Sequence, residues 1–352
     1  MKAVLLRGHG GFDRLEYRED VPDPAPAAGE VLIRIGAAGV NNTDINMRIG
    51  WYSKSVSDAT ASPSVGAEAS ADDAGWAGDA VGFPRIQGAD ACGRIVAVGA
   101  GVDRARIGER VLVDPILRAT GGALHEAGYF GSDRDGGFAE LTTVPAANAL
   151  KIRSTLSDAE LASFPCSYGA AENMLTRARV AAGETVLVTG ASGGVGSAAV
   201  QLARRRGAEV VAVASASKAA AVRSLGARKV LGRGADVLAE LGRESVDAVI
   251  DVVGGPAFAA LLEVMKRGGR YAVAGAIAGP TVELDLRTLY LKDLRLLGCT
   301  ILDAEVFANL VGYIERGEIR PLVSATYPLR EIVAAQKDFL SKARAGKIVL
   351  TP

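Results

Sequence analysis

The sequence predicts an α/β fold: a doubly wound parallel sheet joined to a second domain, an irregular β-barrel. Three observations predict it. A glycine-rich turn, Ala191-Ser-Gly-Gly-Val-Gly196, stands between a β-branched run and an Ala-rich helical run. Strand-like and helix-like segments alternate from Thr185 to Gly298, the pattern of βα units that build a parallel sheet. The first 150 residues differ, with short strands, glycine turns and little helical periodicity, as in a barrel.

Size and charge bound the answer. A chain of 352 residues is long enough for two domains, each with its own core. Lys plus Arg and Asp plus Glu are 40 each, so no long-range field favours nucleic acid or an anionic membrane as partner. The apolar run near Met1 is too short for a signal peptide, and no run reaches membrane-spanning length. Cys92, Cys166 and Cys299 are widely spaced with no C-x-x-C, which excludes a disulfide framework and a four-cysteine zinc lobe. A reduced, cytoplasmic protein is the expectation.

Residues 2–6 and 30–37 read as strands. Between them Val21-Pro-Asp-Pro-Ala-Pro26 must be extended loop, since proline fixes φ and keeps its predecessor out of the helical region. Gly39 to Tyr52 reads as a polar loop or short helix. Residues 53–82, rich in Ala, Ser, Gly and Asp, look like an insertion, with Trp76 as the residue able to pin it. A solvated surface loop is the preferred reading and an active-site lid the alternative. Strands are expected within 88–99, 108–114 and 135–145.

Ser157 and Glu160 form a capping-box pattern, and two helical pieces follow, broken near Pro165. The parallel sheet is expected from strands at 185–189, 209–214, 229–231, 246–252, 269–275 and 294–298. Its helices fall near 197–206, 217–225, 235–242 and 256–267. The tail holds a helix near 304–316, a strand at 322–327, a helix near 330–342 and a last strand at 346–350, and it returns to the barrel. The expected domains are 1–156 completed by 306–352, and 157–305.

The turn reads Ala191-x-Gly193-x-x-Gly196, a dinucleotide fingerprint with Ala first. Gly193 lets the backbone approach a pyrophosphate, and Gly196 lets the helix pack closely on the strand. Ser192, Gly194 and Val195 complete the cradle, with the helix N-terminus facing the phosphates. An ordinary tight turn would look alike in isolation. The strand before it, the helix after it and the second strand at 209–214 separate the two readings. That second strand ends at Ser215, where NAD-preferring folds carry an acid, and Lys218 follows. A hydroxyl and an ammonium suit a 2′-phosphate, with Arg223 as reinforcement, so NADPH is the expected cofactor. Ser217 as a helix cap and Lys218 as a solvated side chain are compatible with this.

The order of β-rich domain, late Ala-x-Gly-x-x-Gly and terminal Gly346-Lys-Ile-Val-Leu350 resembles the medium-chain dehydrogenase/reductase superfamily. Within it, Gly39-Val-Asn41-x-x-Asp44, Arg48-x-Gly50-x-Tyr52 and Asp251-Val-Val-Gly-Gly255 resemble the zinc-free quinone oxidoreductases and their enoyl-reductase relatives. The resemblance implies a GroES-like catalytic barrel and a Rossmann domain, with hydride passing from NADPH to a quinone or an α,β-unsaturated carbonyl. It implies that Asn41 and Tyr52 donate hydrogen bonds to the acceptor oxygen or to ordered water, with Tyr52 the proton-donor candidate or a packing residue. Asp44 shapes the cleft or closes an Asx-type turn. Val253, Gly254, Gly275, Ala276, Ile277 and Lys347 would lie along the cofactor.

The zinc-binding members of that superfamily place a Cys where this chain has Asn41 and a His where it has Ala89; only Cys166 matches a ligand position. One ligand cannot build a catalytic zinc site. No metal is therefore expected, with a rearranged site of Cys166, His125 and Asp90 or Asp44 as the alternative. Without a Lewis acid, simple alcohol oxidation is disfavoured. The resemblance also implies a homodimer through the apolar strand 294–298. A zinc alcohol dehydrogenase with atypical ligands and a non-catalytic NADPH-binding protein stand as rival readings.

Overall fold

In this computed structural model residues 1–60, 72–118 and 126–352 are described. Among them the barrel region contributes β1 (Ala3–Leu6), β2 (Leu15–Arg18), β3 (Glu30–Gly39), β4 (Arg85–Ile86), β5 (Cys92–Val98), β6 (Arg110–Val113), β7 (Ile116–Arg118), β8 (Ala127–Tyr129), β9 (Leu141–Pro145) and β10 (Ala149–Lys151). Helices α1 (Asn42–Arg48), α2 (Asp158–Leu161) and α3 (Pro165–Arg177) belong to the same stretch of chain. Then come β11 (Thr185–Val188), α4 (Gly194–Arg205), β12 (Glu209–Ala214), α5 (Ala219–Ser224), β13 (Lys229–Gly232), α6 (Val237–Leu241), β14 (Val246–Asp251), α7 (Phe258–Val264), β15 (Met265–Val273), α8 (Leu286–Leu291) and β16 (Arg295–Gly298). The chain ends with α9 (Val306–Glu315), β17 (Val323–Pro328), α10 (Ile332–Ser341) and β18 (Lys347–Thr351).

Two units result: Met1–Val56, Pro63–Cys166 and Phe307–Pro352 make the first, and Ser57–Ser62 with Ser167–Val306 the second. The first is the irregular barrel. Its main sheet runs β10-β6-β5-β3-β18-β17, with β9 also on β3. β3 is central because it alternates: Val31, Ile33 and Ile35 point into a core with Ile95, Val111, Phe130 and Phe138. β18 pairs antiparallel with β3, Val349 opposite Gly39, which carries the C-terminal strand into the barrel. The Ser157–Glu160 capping box opens α2, and Pro165 starts α3 as the missing N–H allows. α2 packs on β3 so closely that a Cβ on Gly36 would lie 2.1 Å from the Asp158 carboxylate. α2 therefore belongs with the barrel, past the boundary expected at 156.

In the second unit all six strands are parallel, in the order β13-β12-β11-β14-β15-β16. The chain reverses direction of winding between β11 and β14, the switch point at which doubly wound sheets bind ligands. Its core joins Leu187, Val211, Val249, Leu261, Leu262 and Tyr271. Three local differences from the sequence reading have physical causes. α4 begins at Gly194 rather than 197, because the glycines that look like a turn form the first helical turn. β15 begins at Met265 rather than 269, running through an irregularity that holds Gly268 at φ +72°. α8 was unforeseen: it is only six residues long, less than two full turns of pattern, and Asp285 caps it by accepting from the Arg287 N–H.

Candidate active site

The glycine-rich turn opens at the C-terminal end of β11. Gly190 takes φ +57°, and a Cβ there would press on Val252 and Val253 at 3.1 and 3.2 Å. A Cβ on Gly196 would lie 2.3 Å from the Gly190 carbonyl oxygen, so only glycine lets the helix start this close to the strand. Gly193 differs: a Cβ would meet nothing nearer than 3.5 Å, which leaves its face open to an approaching group. No side chain caps α4 at Gly193, so the first N–H groups of a 12-residue helix face the turn's mouth. Ala191 and Ser192 are buried beneath it, and Gly194 and Val195 are half-buried at its rim. These residues fit the pyrophosphate of a dinucleotide.

The loops after β14 and β15 are knitted to each other and to this turn. Asp251 is fully buried at the end of β14, and Thr189 and Tyr271 both donate hydroxyl hydrogen bonds to its carboxylate. Its oxygens also accept from the Val253 N–H at 2.8 Å and the Gly254 N–H at 3.1 Å. Gly254 and Gly255 sit at φ +62° and +67°, tight against Gly279, Ala276 and Ala278. The Ala278 N–H donates to the Val253 carbonyl at 2.9 Å, and Gly275, Ala276 and Ile277 line the same loop pair. Asp251 thus acts as a buried staple for the sheet's C-terminal edge. Thr60, from the described flank of the insertion, donates its N–H to the Ile277 carbonyl at 3.3 Å.

At the end of β12, Ser215 and Ser217 bring their hydroxyls within 3.3 Å of each other. Lys218 is buried rather than solvated, and burial, then the charge of Arg233, lowers its pKa. Arg233 follows β13, whose Gly232 pairs with Ala214 of β12, so strand register places this second cation beside the first. Arg223, expected as reinforcement, is exposed on α5.

The barrel unit holds a different cluster. The Lys347 ammonium donates to Asp90 Oδ2 at 2.7 Å, Asn41 Oδ1 at 2.5 Å and the Val40 carbonyl at 3.0 Å. Those three bonds use every proton of the ammonium. Asn41 Nδ2 donates to Asp90 Oδ2 at 2.8 Å and to the Gly39 carbonyl at 3.4 Å. Asn41 and Lys347, expected against acceptor and cofactor, therefore spend their side-chain protons inside the barrel. Asp90 is fully buried and Lys347 is 3% exposed. Two glycines allow this: Gly39, where a Cβ would lie 2.4 Å from Asp90, and Gly88, at φ +105° against Phe138.

Asp44 stands in the first turn of α1 and is buried, its carboxylate accepting the Asn41 N–H at 2.7 Å. Burial raises its pKa to about 7, against the Asn41 N–H bond and the Lys347 charge. Tyr52 donates to Thr43 Oγ1 at 3.0 Å and packs edge-on against Trp51. Burial pushes its phenol up to about 12, opposed by Thr43 and Asn46, which share one face of α1. The hydroxyl stays protonated at neutral pH.

Sequence reasoning missed Tyr129. Its hydroxyl donates to Cys166 Sγ at 3.2 Å, and the Cys166 N–H donates to Asp90 Oδ1 at 2.6 Å. Burial raises the Cys166 thiol to about 12, a packed group rather than a thiolate. Trp76 stacks on Tyr129 with ring centroids 4.4 Å apart. The described flanks of the insertion are anchored at a few points, since Ser53, Thr60 and Ala74 are buried as well. Between these anchors residues 54, 55, 57, 58 and 77–80 are exposed, as a solvated surface loop requires; residues 61–71 lie outside the described residues. No motif marks Tyr129, a tyrosine at the end of a three-residue strand.

Fold and glycine turn together define a dehydrogenase fold that binds a nicotinamide dinucleotide. The chain belongs to the medium-chain dehydrogenase/reductase superfamily. A profile described as alcohol dehydrogenase GroES-like domain matches residues 27–154, and one described as zinc-binding dehydrogenase matches 194–316. Acryloyl-coenzyme A reductase of Metallosphaera sedula is 33% identical over 100% of both chains. Quinone oxidoreductase of Rattus norvegicus is 28% identical over 99% of this chain and 97% of its own. A provisionally assigned alcohol dehydrogenase of Sinorhizobium meliloti superposes with a TM-score of 0.90 at 51% identity, covering 100% of this chain and 96% of its own.

The second profile's description implies zinc, and the barrel cluster does not fit it. The centre of the donors around Asp90 is filled by the Lys347 ammonium. Among the described residues no group of three or more His, Cys, Asp or Glu is placed to hold a metal. His125, a member of the alternative metal set, lies outside the described residues. Among the described residues no helix is long and apolar enough to cross a membrane.

Proposed function

We propose that the protein transfers hydride from NADPH to a quinone or to an enoyl substrate such as an enoyl thioester, without catalytic zinc. The full-length identity to acryloyl-coenzyme A reductase carries this reading. NADPH is favoured over NADH by the pair Lys218 and Arg233 beside Ser215, where a carboxylate would repel a 2′-phosphate. The nicotinamide supplies the hydride. Gly193, Gly194, Val195 and Gly196 hold the pyrophosphate, and Val253, Gly254, Gly275, Ala276 and Ile277 line the ring side. The neutral Tyr52 hydroxyl, whose proton goes to Thr43 Oγ1 in this structure, would on turning from Thr43 offer a hydrogen bond to the oxygen on which charge develops. Asn41, Asp44, Asp90 and Lys347 keep the start of α1 rigid, which orients Thr43 and Tyr52.

Delocalised acceptors need this little help: their negative charge spreads onto oxygen as hydride arrives, so positioning and one donor suffice. We also propose a cytoplasmic homodimer joined through strand 294–298. The test is NADPH and NADH oxidation by EDTA-treated protein, with a benzoquinone and with an enoyl thioester as acceptors. Turnover with NADPH, weaker with NADH and indifferent to zinc, supports the reading. Turnover that returns only with added zinc overturns it in favour of an alcohol dehydrogenase with atypical ligands.

A further inference from the structure

The barrel cluster is built like a cation site. A carboxylate oxygen, an amide oxygen and a main-chain carbonyl converge on one point, at 2.7, 2.5 and 3.0 Å from the Lys347 nitrogen. Oxygens of these kinds also bind divalent metals, and borderline metals add nitrogen or sulfur. A sulfur is at hand: the Cys166 N–H is bonded to the same Asp90 carboxylate, and the ammonium's charge lowers the pKa of the Cys166 thiol against the effect of burial. The charge acts likewise on Asp44. The ammonium gets there because β18 pairs with β3 at Gly39, which sets Lys347 beside Val40 and Asn41.

We propose that Lys347 is the resident cation of this cluster: its ammonium fills the place a divalent metal would take among Asp90, Asn41, Val40 and Cys166, and fixes their geometry. Lys347 is thus a positioning residue. It acts through Asn41 and Asp90 on the start of α1. The proposal rests on the zinc-free part of the functional reading. Its test reads metal uptake instead of turnover, so a wrong acceptor leaves it standing.

Removing the ammonium leaves a buried carboxylate without its counter-charge, the costly half of a broken ion pair. A divalent ion offered in solution then has a vacant centre, and binding it displaces the Cys166 thiol proton to solvent. The experiment is a cobalt(II) titration of EDTA-treated, full-length wild type, K347A and K347A/C166S. We expect K347A to bind cobalt at least about tenfold more tightly than wild type, a gap of about 1.4 kcal/mol. Its spectrum carries a thiolate-to-cobalt charge-transfer band that the C166S change removes. K347Q is the second variant, keeping a donor toward Asp90 while losing the charge, in case K347A does not fold. Wild type binding cobalt as tightly as a folded Lys347 variant, with the same band, overturns the proposal. So does a folded K347A or K347Q that binds no more cobalt than wild type.

Discussion

Asp44 carries a pH signature of its own. Its folded pKa, about 7, lies above the value of 3.8 that it has in the open chain, so the folded state binds the extra proton between these two. A raised pKa gives stability that is complete below the unfolded value and is lost as pH rises through the folded one. Asp44→Asn keeps an acceptor for the Asn41 N–H and cannot ionise. The variant should therefore gain on wild type in melting temperature as pH rises from about 4 to above 7. A constant difference across that range would mean that Asp44 is ionised throughout. Tyr52 is the other residue whose chemistry can be isolated. With its phenol at about 12 it is a hydrogen-bond donor at neutral pH and a weak acid. Tyr52→Phe should lower kcat by about 100-fold with little change in melting temperature, the range expected of a positioned donor. Unchanged turnover removes Tyr52 from the reaction and leaves it as packing against Trp51.

At the scale of elements, the β11–α4 junction and the β14 staple set the nucleotide site. Gly196→Ala sets a methyl group 2.3 Å from a backbone oxygen that cannot swing away. We expect a loss of about 1–3 kcal/mol in stability from the overpacking. Dinucleotide affinity should fall with it by about tenfold, since helix and turn must part. Fluorescence titration with NADPH checks it, and full affinity would show that the turn can relax. Tyr271→Phe removes one of the donors that satisfy the buried Asp251 carboxylate. That change should cost about 1–3 kcal/mol in a urea unfolding experiment. A cost near zero would show that Thr189 and the loop N–H groups suffice. Both elements were legible in part: the glycine spacing points to the junction, while the tie from Asp251 to Tyr271 depends on two strands lying side by side.

At the scale of the whole molecule, the free edge of the parallel sheet bears on assembly. β16 ends the parallel sheet as an edge strand, Leu296 is 39% exposed on it, and Tyr290 and Leu291 on the preceding α8 are exposed at 62% and 57%. An apolar edge of this kind is a template for pairing with a second copy. Leu296→Asp should leave the fold intact, because the side chain is already exposed. It should turn a sedimentation pattern of dimers into one of monomers. Wild type sedimenting as a monomer would end the proposal of a dimer through this strand.

The alternation of strands and helices, the Ser157–Glu160 cap and the glycine turn were all readable along the chain, because periodicity and turn chemistry are local properties. They were enough for the two-domain fold and its superfamily. Tertiary structure alone decided what the polar residues do. Lys347 reaches Asp90 across 257 positions and Asn41 across 306, and no local pattern encodes a pairing that distant. The same holds for Arg233 rather than Arg223 beside Lys218, which follows from the register of β12 and β13. It holds for Trp76 on Tyr129 too. Burial gives these pairings their energetic weight, since a charge withdrawn from water must find its partner wherever the fold brings one.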